Sequence, residues 1–184
     1  MGVRVDSQRA DRYRTSAAIL LLLSVSAQVY AASALNVVPW PATVAITNGT
    51  FALDAGTRVV PSSPALTSLA AVLTNEYRQA FGITVGVDGN AQGPGQIVLR
   101  LTEALQGEAY RLNVSTTGAV VEAGNYAALA AASVSLLQAA DFDGYRVAVP
   151  CLSISDAPFV AYRGLMIDVA RQPHSLDVLK QLVR

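Results

Sequence analysis

Glu108-Ala109-Tyr110-Arg111-Leu112-Asn113-Val114-Ser115 turns from Tyr110 onward into a strict alternation of apolar and polar side chains. That period of two puts Tyr110, Leu112 and Val114 on one face of a strand and leaves Arg111, Asn113 and Ser115 on the other. A sheet with one covered face is therefore the first inference, and the flanking sequence supplies the cover. Downstream, Thr117-Gly118 is turn material leading into a return strand over Ala119–Ala123. Asn125 then stands where a helix cap belongs, and Tyr126–Ala140 carries Leu129, Ala132, Ser133, Leu136, Leu137 and Ala140 at helical spacing. Its many alanines would let that helix lie close to a sheet. Upstream, Gln96–Leu101 reads as a strand behind the turn Gln92-Gly93-Pro94-Gly95. Before it a helix is expected, opened by Ser62 or Ser63 with Pro64 in the first turn. Leu66, Leu69, Ala70, Leu73, Tyr77 and Phe81 line its buried face, and Gly82 suits a left-handed C-terminal cap.

Shorter strands complete the pattern. Thr43–Thr47 and Thr50–Leu53 flank Asn48-Gly49, the strongest short hairpin signal in the chain. Arg58–Val60 and Ile83–Val87 are further strands, and Tyr145–Val149 and Cys151–Ser155 are separated by Pro150. In the lead-in Leu35-Asn36-Val37-Val38-Pro39-Trp40-Pro41, two prolines around a tryptophan predict an extended segment that docks one aromatic ring. The expected class is α+β: a largely antiparallel sheet with two helices on one face, spanning residues 35–158.

The last stretch, from residue 159 to 184, does not fit that body. Asp156-Ala157-Pro158 reads as a linker. Gly164-Leu165-Met166-Ile167-Asp168-Val169 is apolar on both faces apart from Asp168, the mark of a strand buried on both sides of a parallel sheet. Ser175 then caps a helix carrying Leu176, Leu179, Leu182 and Val183. One strand and one helix cannot cover their own apolar faces. The physical expectation is a chain cut at the start of a second, α/β domain.

At the other end, Arg4, Arg9, Arg12 and Arg14 precede the apolar run from Ala17 to Val25, and Ala32-Ser33-Ala34 offers an Ala-x-Ala-like cleavage site. Residues 1–34 are expected to be a secretory signal peptide, and the protein to be exported to the periplasm or beyond. The run falls short of the roughly 20 residues of a membrane span, so no stable span is expected in the mature chain. The whole chain balances 13 basic against 13 acidic residues. Beyond residue 34 the balance is 9 basic to 11 acidic, with Lys180 the one lysine, so no basic stripe exists to bind nucleic acid. A single cysteine, Cys151, allows no internal disulfide and reads as a small buried hydrophobe. With one His and one Cys the chain has no usual metal-ligand set, and no cofactor is expected.

Tyr162-Arg163-Gly164-Leu165-Met166-Ile167-Asp168-Val169-Ala170-Arg171 resembles the opening of the catalytic (β/α)8 barrel of glycoside hydrolase family 20. The following Gln172–Leu182 is similar to that family's first barrel helix. Ile154-Ser155-Asp156-Ala157-Pro158 resembles its interdomain junction, Glu108-Ala109-Tyr110-Arg111-Leu112 its "E-x-Y-x-L" accessory strand, and Val38-Pro39-Trp40-Pro41 its "P-x-P" lead-in. Gln172 stands where many members carry His, and the second helix lacks the family's usual Gln-Thr-Leu stretch.

The resemblance implies an accessory domain, the first β/α unit of a truncated barrel, and an exo-acting β-N-acetylhexosaminidase. Such an enzyme removes terminal β-linked N-acetylglucosamine or N-acetylgalactosamine with retention, using the substrate's own acetamido oxygen as nucleophile. The Asp-Glu pair that serves this chemistry has no counterpart here, so no catalytic residue is assigned and the chain alone is expected to be inactive. The expected partner is an amino-sugar glycan. The resemblance gives Arg163 a role in binding sugar hydroxyls, for which a planar guanidinium with several donors is suited. Without the resemblance, Arg163 reads as a surface arginine paired with a neighbouring carboxylate. Asp168 and Arg171 read as structural support at the barrel mouth, and His174 as a solvated or capping residue. The competing function is a non-catalytic exported module that binds a carbohydrate or a protein.

Overall fold

The computed structural model describes residues 35–142, 144–171 and 173–183, with only the backbone of 182 and 183. The signal-peptide expectation lies outside these residues, as do Asp143 and Gln172. Every strand and helix among the described residues lies in one compact unit that begins at Asn36.

Eight strands form one sheet: β1 (Thr43–Leu53), β2 (Arg58–Pro61), β3 (Gly86–Val87), β4 (Gln96–Leu101), β5 (Tyr110–Ser115), β6 (Gly118–Ala123), β7 (Asp141–Phe142) and β8 (Val147–Asp156). The order across the sheet is β1-β8-β5-β6-β4-β2-β3, with β7 also on β8. The helices are α1 (Thr67–Phe81), α2 (Tyr126–Gln138) and α3 (Leu176–Val183). α1 touches α2, β2 and β3, while α2 touches β4, β5 and β6, so the two lie side by side on one face. The expected alternation holds along β5: Tyr110, Leu112 and Val114 are buried, and Arg111, Asn113 and Ser115 exposed. β6 shows the same rhythm, with Ala119, Val121 and Ala123 inward. On the helix layer Leu66, Leu69, Ala70, Leu73 and Tyr77 are buried on the α1 side, and Leu129, Ala132 and Leu136 on α2.

Two of the helix signals behave as expected, whereas the Ser63 side chain makes no cap bond and α1 begins at Thr67, behind a single 3-10 turn over Pro64–Leu66. Gly82 takes a left-handed conformation (φ 70°) and its N–H donates to the Arg78 carbonyl. The Asn125 side chain accepts from the Ala128 N–H at 2.9 Å. One buried group has no counterpart: the Tyr77 hydroxyl is enclosed without a hydrogen-bond partner, and burial raises its pKa above the usual tyrosine value.

Five expectations need correction. The larger part of the sheet is antiparallel as expected, but three pairings are parallel and the sheet is mixed. β2·β3, β2·β4 and β4·β6 are parallel, whereas β1·β8, β5·β6, β5·β8 and β7·β8 are antiparallel. For β2·β3 the cause is α1, which bridges these strands and returns the chain in the direction it left, as a crossover helix does; β4 and β6 run the same way because β5, antiparallel to β6, lies between them in sequence.

Asn48-Gly49 makes no hairpin. β1 runs straight through it and pairs with β8 on both sides of a register shift between Ile46 and Thr50. Gly49 spends its positive φ (106°) on that irregularity, because the long β8 accepts both halves of β1 and leaves no reason to turn.

Pro150 does not split β8. It sits opposite Thr50 at the end of the shift, between the β7 pairing at Val147–Ala148 and the β5 pairing at Leu152–Asp156. A residue without an N–H is tolerated where the ladder is interrupted. In the lead-in, Trp40 is 64% exposed. The segment is fastened instead by backbone donors, Val38 N–H to Gln138 Oε1 at 3.0 Å and Ala42 N–H to Asp156 Oδ1 at 3.1 Å.

The fifth correction concerns the tail. Gly164–Val169, expected as the first barrel strand, has no regular structure. A strand exists through hydrogen bonds to a neighbour, and among the described residues none pairs with it. The helix after it does form.

Candidate functional site

Two turns pinned to each other build the junction between the sheet and the tail. The loop Thr102–Ala109 precedes β5, and Gly124-Asn125 follows β6. Asn125, besides capping α2, donates its side-chain amide to the Gly107 carbonyl at 2.7 Å. Gly124 N–H donates to the Ala109 carbonyl. Gly124 lies so close to the loop that a Cβ on it would stand 2.3 Å from the Leu105 carbonyl oxygen. Only glycine permits that approach. Glu108 therefore projects from a loop held at several backbone points.

Tyr110, the first residue of β5, joins three elements. Its hydroxyl lies 2.8 Å from Ser135 Oγ on α2 and donates to Asp156 Oδ2, at the end of β8, at 3.1 Å. Burial is the main reason its pKa is pushed up to about 12, with the Asp156 charge adding to it against an opposing Ser135 hydrogen bond. The other Asp156 oxygen accepts from Ala42, so this carboxylate ties the lead-in, β5 and β8 together.

Arg163 reaches this junction from the tail. Its Nη1 donates to the Val160 carbonyl at 2.8 Å, and its Nη2 to Glu108 Oε2 at 2.5 Å. The pair is about half exposed. Beside it a recess of about 280 Å³ is lined by Gln106, Glu108, Ala109, Pro158, Val160 and Arg163, among others. Asp168 and Arg171 do meet, Nε to Oδ2 at 3.4 Å, but in solvent, with the Arg171 side chain 91% exposed. Asp168 also accepts from the backbone N–H of Ala170. His174 is exposed, and Ser175 Oγ accepts from the Val178 N–H at 3.4 Å as a weak helix cap. Cys151 is buried and free, its thiol pKa raised by burial.

Among the described residues no His, Cys, Asp or Glu cluster could hold a metal, and no helix is long and apolar enough to cross a membrane. A larger recess, about 530 Å³, opens on the sheet face away from the helices. Its polar side chains, such as Thr47, Gln96, Asn113 and Ser153, come without any aromatic ring.

The arrangement is suited to holding chain segments together. It contains no pair of facing carboxylates in a cleft and no nucleophile with an adjacent base. Glu108 and Ser135 carry more of it than their positions in the sequence announce. The available signals were a polar residue two places ahead of an inward tyrosine, and a serine on the apolar face of a helix.

Comparison with known proteins gives the junction a context. Residues 34–157 match the family description "Glycosyl hydrolase family 20, domain 2". The chain is 34% identical over 152 residues to a beta-hexosaminidase of Vibrio furnissii, covering 83% of this chain and 24% of that protein. It is 37% identical over 154 residues to a beta-N-acetylhexosaminidase of Cellulomonas fimi, covering 80% of this chain and 31% of that one. Among solved structures it is similar to the exo beta-N-acetylglucosaminidase of Vibrio harveyi in complex with N-acetylglucosamine, with a TM-score of 0.74 and 28% identity over 81% of this chain and 23% of that one. The class is thus a glycoside hydrolase accessory domain. Specifically, the chain belongs to glycosyl hydrolase family 20. It spans about a quarter to a third of the length of these curated relatives.

Proposed function

We propose that these residues open an exported, exo-acting β-N-acetylhexosaminidase that releases terminal β-linked N-acetylglucosamine or N-acetylgalactosamine with retention, through attack by the substrate's own acetamido group. In this reading the sheet and its two helices are the accessory domain. The tail is the first β/α unit of a (β/α)8 barrel, and the catalytic Asp-Glu pair stands on later barrel strands, at the mouth where such active sites collect. No Asp-Glu dipeptide occurs in the 184 residues.

The observation that carries the reading is the state of the tail. Leu165 is 70% exposed and Met166 92%, with Val169 and Leu176 also in solvent. Apolar side chains in that number, on both sides of one segment, call for neighbouring elements to cover them. The alternative of a carbohydrate-binding module finds less support, because the broad recess on the sheet offers no aromatic platform for a sugar ring.

For sugar recognition the expected residue is Arg163. The geometry favours a second reading beside it: Arg163 is engaged by Glu108 and the Val160 carbonyl, whereas Arg171 has a longer pair with Asp168 and a side chain 91% exposed, able to turn toward a ligand. In a barrel-containing form, the variant that raises KM for an aryl N-acetylglucosaminide about tenfold or more identifies the sugar-binding arginine.

The 184-residue chain alone should release no chromophore from that substrate, while a form extended through a complete barrel should. Turnover by the short chain would overturn the assignment of the chemistry to later strands.

A further inference from the structure

We infer that Glu108 is a positioning residue: through Arg163 it clamps the Val160–Arg163 segment onto the loop that precedes β5. This goes beyond the proposed activity, since it concerns how the accessory domain holds the tail and stands whether or not the tail belongs to a barrel.

Three observations converge on it. The carboxylate is carried on a rigid support, because the Thr102–Ala109 loop is fixed by Asn125 Nδ2 on the Gly107 carbonyl and by the close approach of Gly124. The guanidinium is used at two points at once, closing the Val160–Arg163 turn with one nitrogen and meeting Glu108 with another. Apolar burial cannot account for the position of the segment. Phe159 is fully exposed, Tyr162 89% exposed and Val160 about half exposed, so a charged pair does what packing does elsewhere in the molecule. An arginine is the right residue for this, because its fork serves a carbonyl and a carboxylate together where an ammonium offers a single point. The clamp also gives a physical use to the first position of the Glu108-x-Tyr110 pattern. Tyr110 fastens the end of β8 through Asp156, and Glu108, two residues earlier, fastens the chain that continues from it.

Trypsin provides the test, because it cuts after arginine only when that side chain is drawn into its own pocket, and cleavage follows the fraction of time the side chain is free. The 184-residue chain carries its own control. The bond after Arg163 follows a side chain tied to the body, whereas the bond after Arg171 follows one that is 91% exposed and paired only within its own segment, to Asp168, a pair that the change at Glu108 leaves untouched. Glu108→Gln keeps shape and removes charge. It should raise the ratio of cleavage at Arg163 to cleavage at Arg171 about threefold, in keeping with an exposed ion pair, and Glu108→Asp should return part of the protection. Sodium chloride near 1 M screens the Arg171–Asp168 pair equally in both proteins and the Arg163–Glu108 pair only in the natural chain, so it should narrow the difference in the ratio between the natural chain and Glu108→Gln. Thermal melting should be the same for both proteins. If Glu108→Gln lowers the melting temperature, Arg163→Lys carries the same comparison without altering the sheet, since lysine keeps the trypsin site but cannot serve both partners. A ratio that stays fixed in the variant overturns the clamp.

Discussion

Two segments of this chain are written in nearly the same apolar alphabet and end in opposite states. Leu112-Asn113-Val114 lies between β6 and β8, with Leu112 fully buried. Leu165-Met166-Ile167 is at least as apolar and forms no strand at all. The difference is company. β5 has a hydrogen-bonding neighbour on each edge and a helix over one face, whereas among the described residues no strand pairs with the tail segment. Strand propensity is a statement about fitting a pleated, half-buried surface, and without that surface it has no effect.

Truncating one side chain in each region puts the heaviest load on this contrast. Leu112→Ala should cost about 2–5 kcal/mol of unfolding free energy in urea, the range for a fully enclosed leucine. Met166→Ala should change it by less than about 0.5 kcal/mol, as expected of an exposed position. Equal costs would mean the tail is covered in solution.

The helix caps repeat the contrast at smaller scale. Asn125→Ala removes a well-formed cap and the tie to Gly107 together, and should cost about 1 kcal/mol or somewhat more. Ser175→Ala, whose bond is already 3.4 Å long, should leave global unfolding unchanged and reduce only the helicity of α3.

The two inward tyrosines separate within the body itself. Tyr110→Phe loses the bonds to Ser135 and Asp156 and should cost about 1 kcal/mol. Tyr77→Phe removes a hydroxyl that has no partner, and should be neutral or stabilising. Both tyrosine pKa values are raised on folding, so the native state holds protons that the unfolded chain has released. Stability should therefore fall as pH climbs from about 10, where the unfolded tyrosine titrates, through about 12, where Tyr110 does. Tyr110→Phe should flatten that decline in alkaline melting curves.

These contrasts also show what the sequence could disclose. Periods of two and of three to four are local, and they placed β4, β5, β6, α1 and α2 within a few residues, together with the Gly82 and Asn125 caps. What failed depended on partners far along the chain. Asn48-Gly49 is a turn only if no long strand lies ready to pair with both of its flanks, and β8 pairs with them from far along the chain. Pro150 breaks a strand only where its missing N–H is needed. The parallel pairing of β2 and β3 follows from where α1 delivers the chain, which no alternation pattern records. Cover for the tail could not be read from its own residues either. They state what they need and say nothing of where it comes from. At the junction the family resemblance pointed to Glu108, Tyr110, Asp156 and Arg163 one motif at a time. That they meet in one cluster emerged only from the three-dimensional arrangement.

Hydrogen exchange on the 184-residue chain, read peptide by peptide, tests the central contrast most directly. Amides of β5, β6 and β8 should be protected to nearly the full free energy of unfolding. Those of Gly164–Val169 should exchange at close to the rate of an unstructured peptide, and become protected only when a longer form supplies neighbouring strands. Strong protection of Gly164–Val169 in the short chain would refute the dependence of this segment on added neighbours, because the body would then already shelter it.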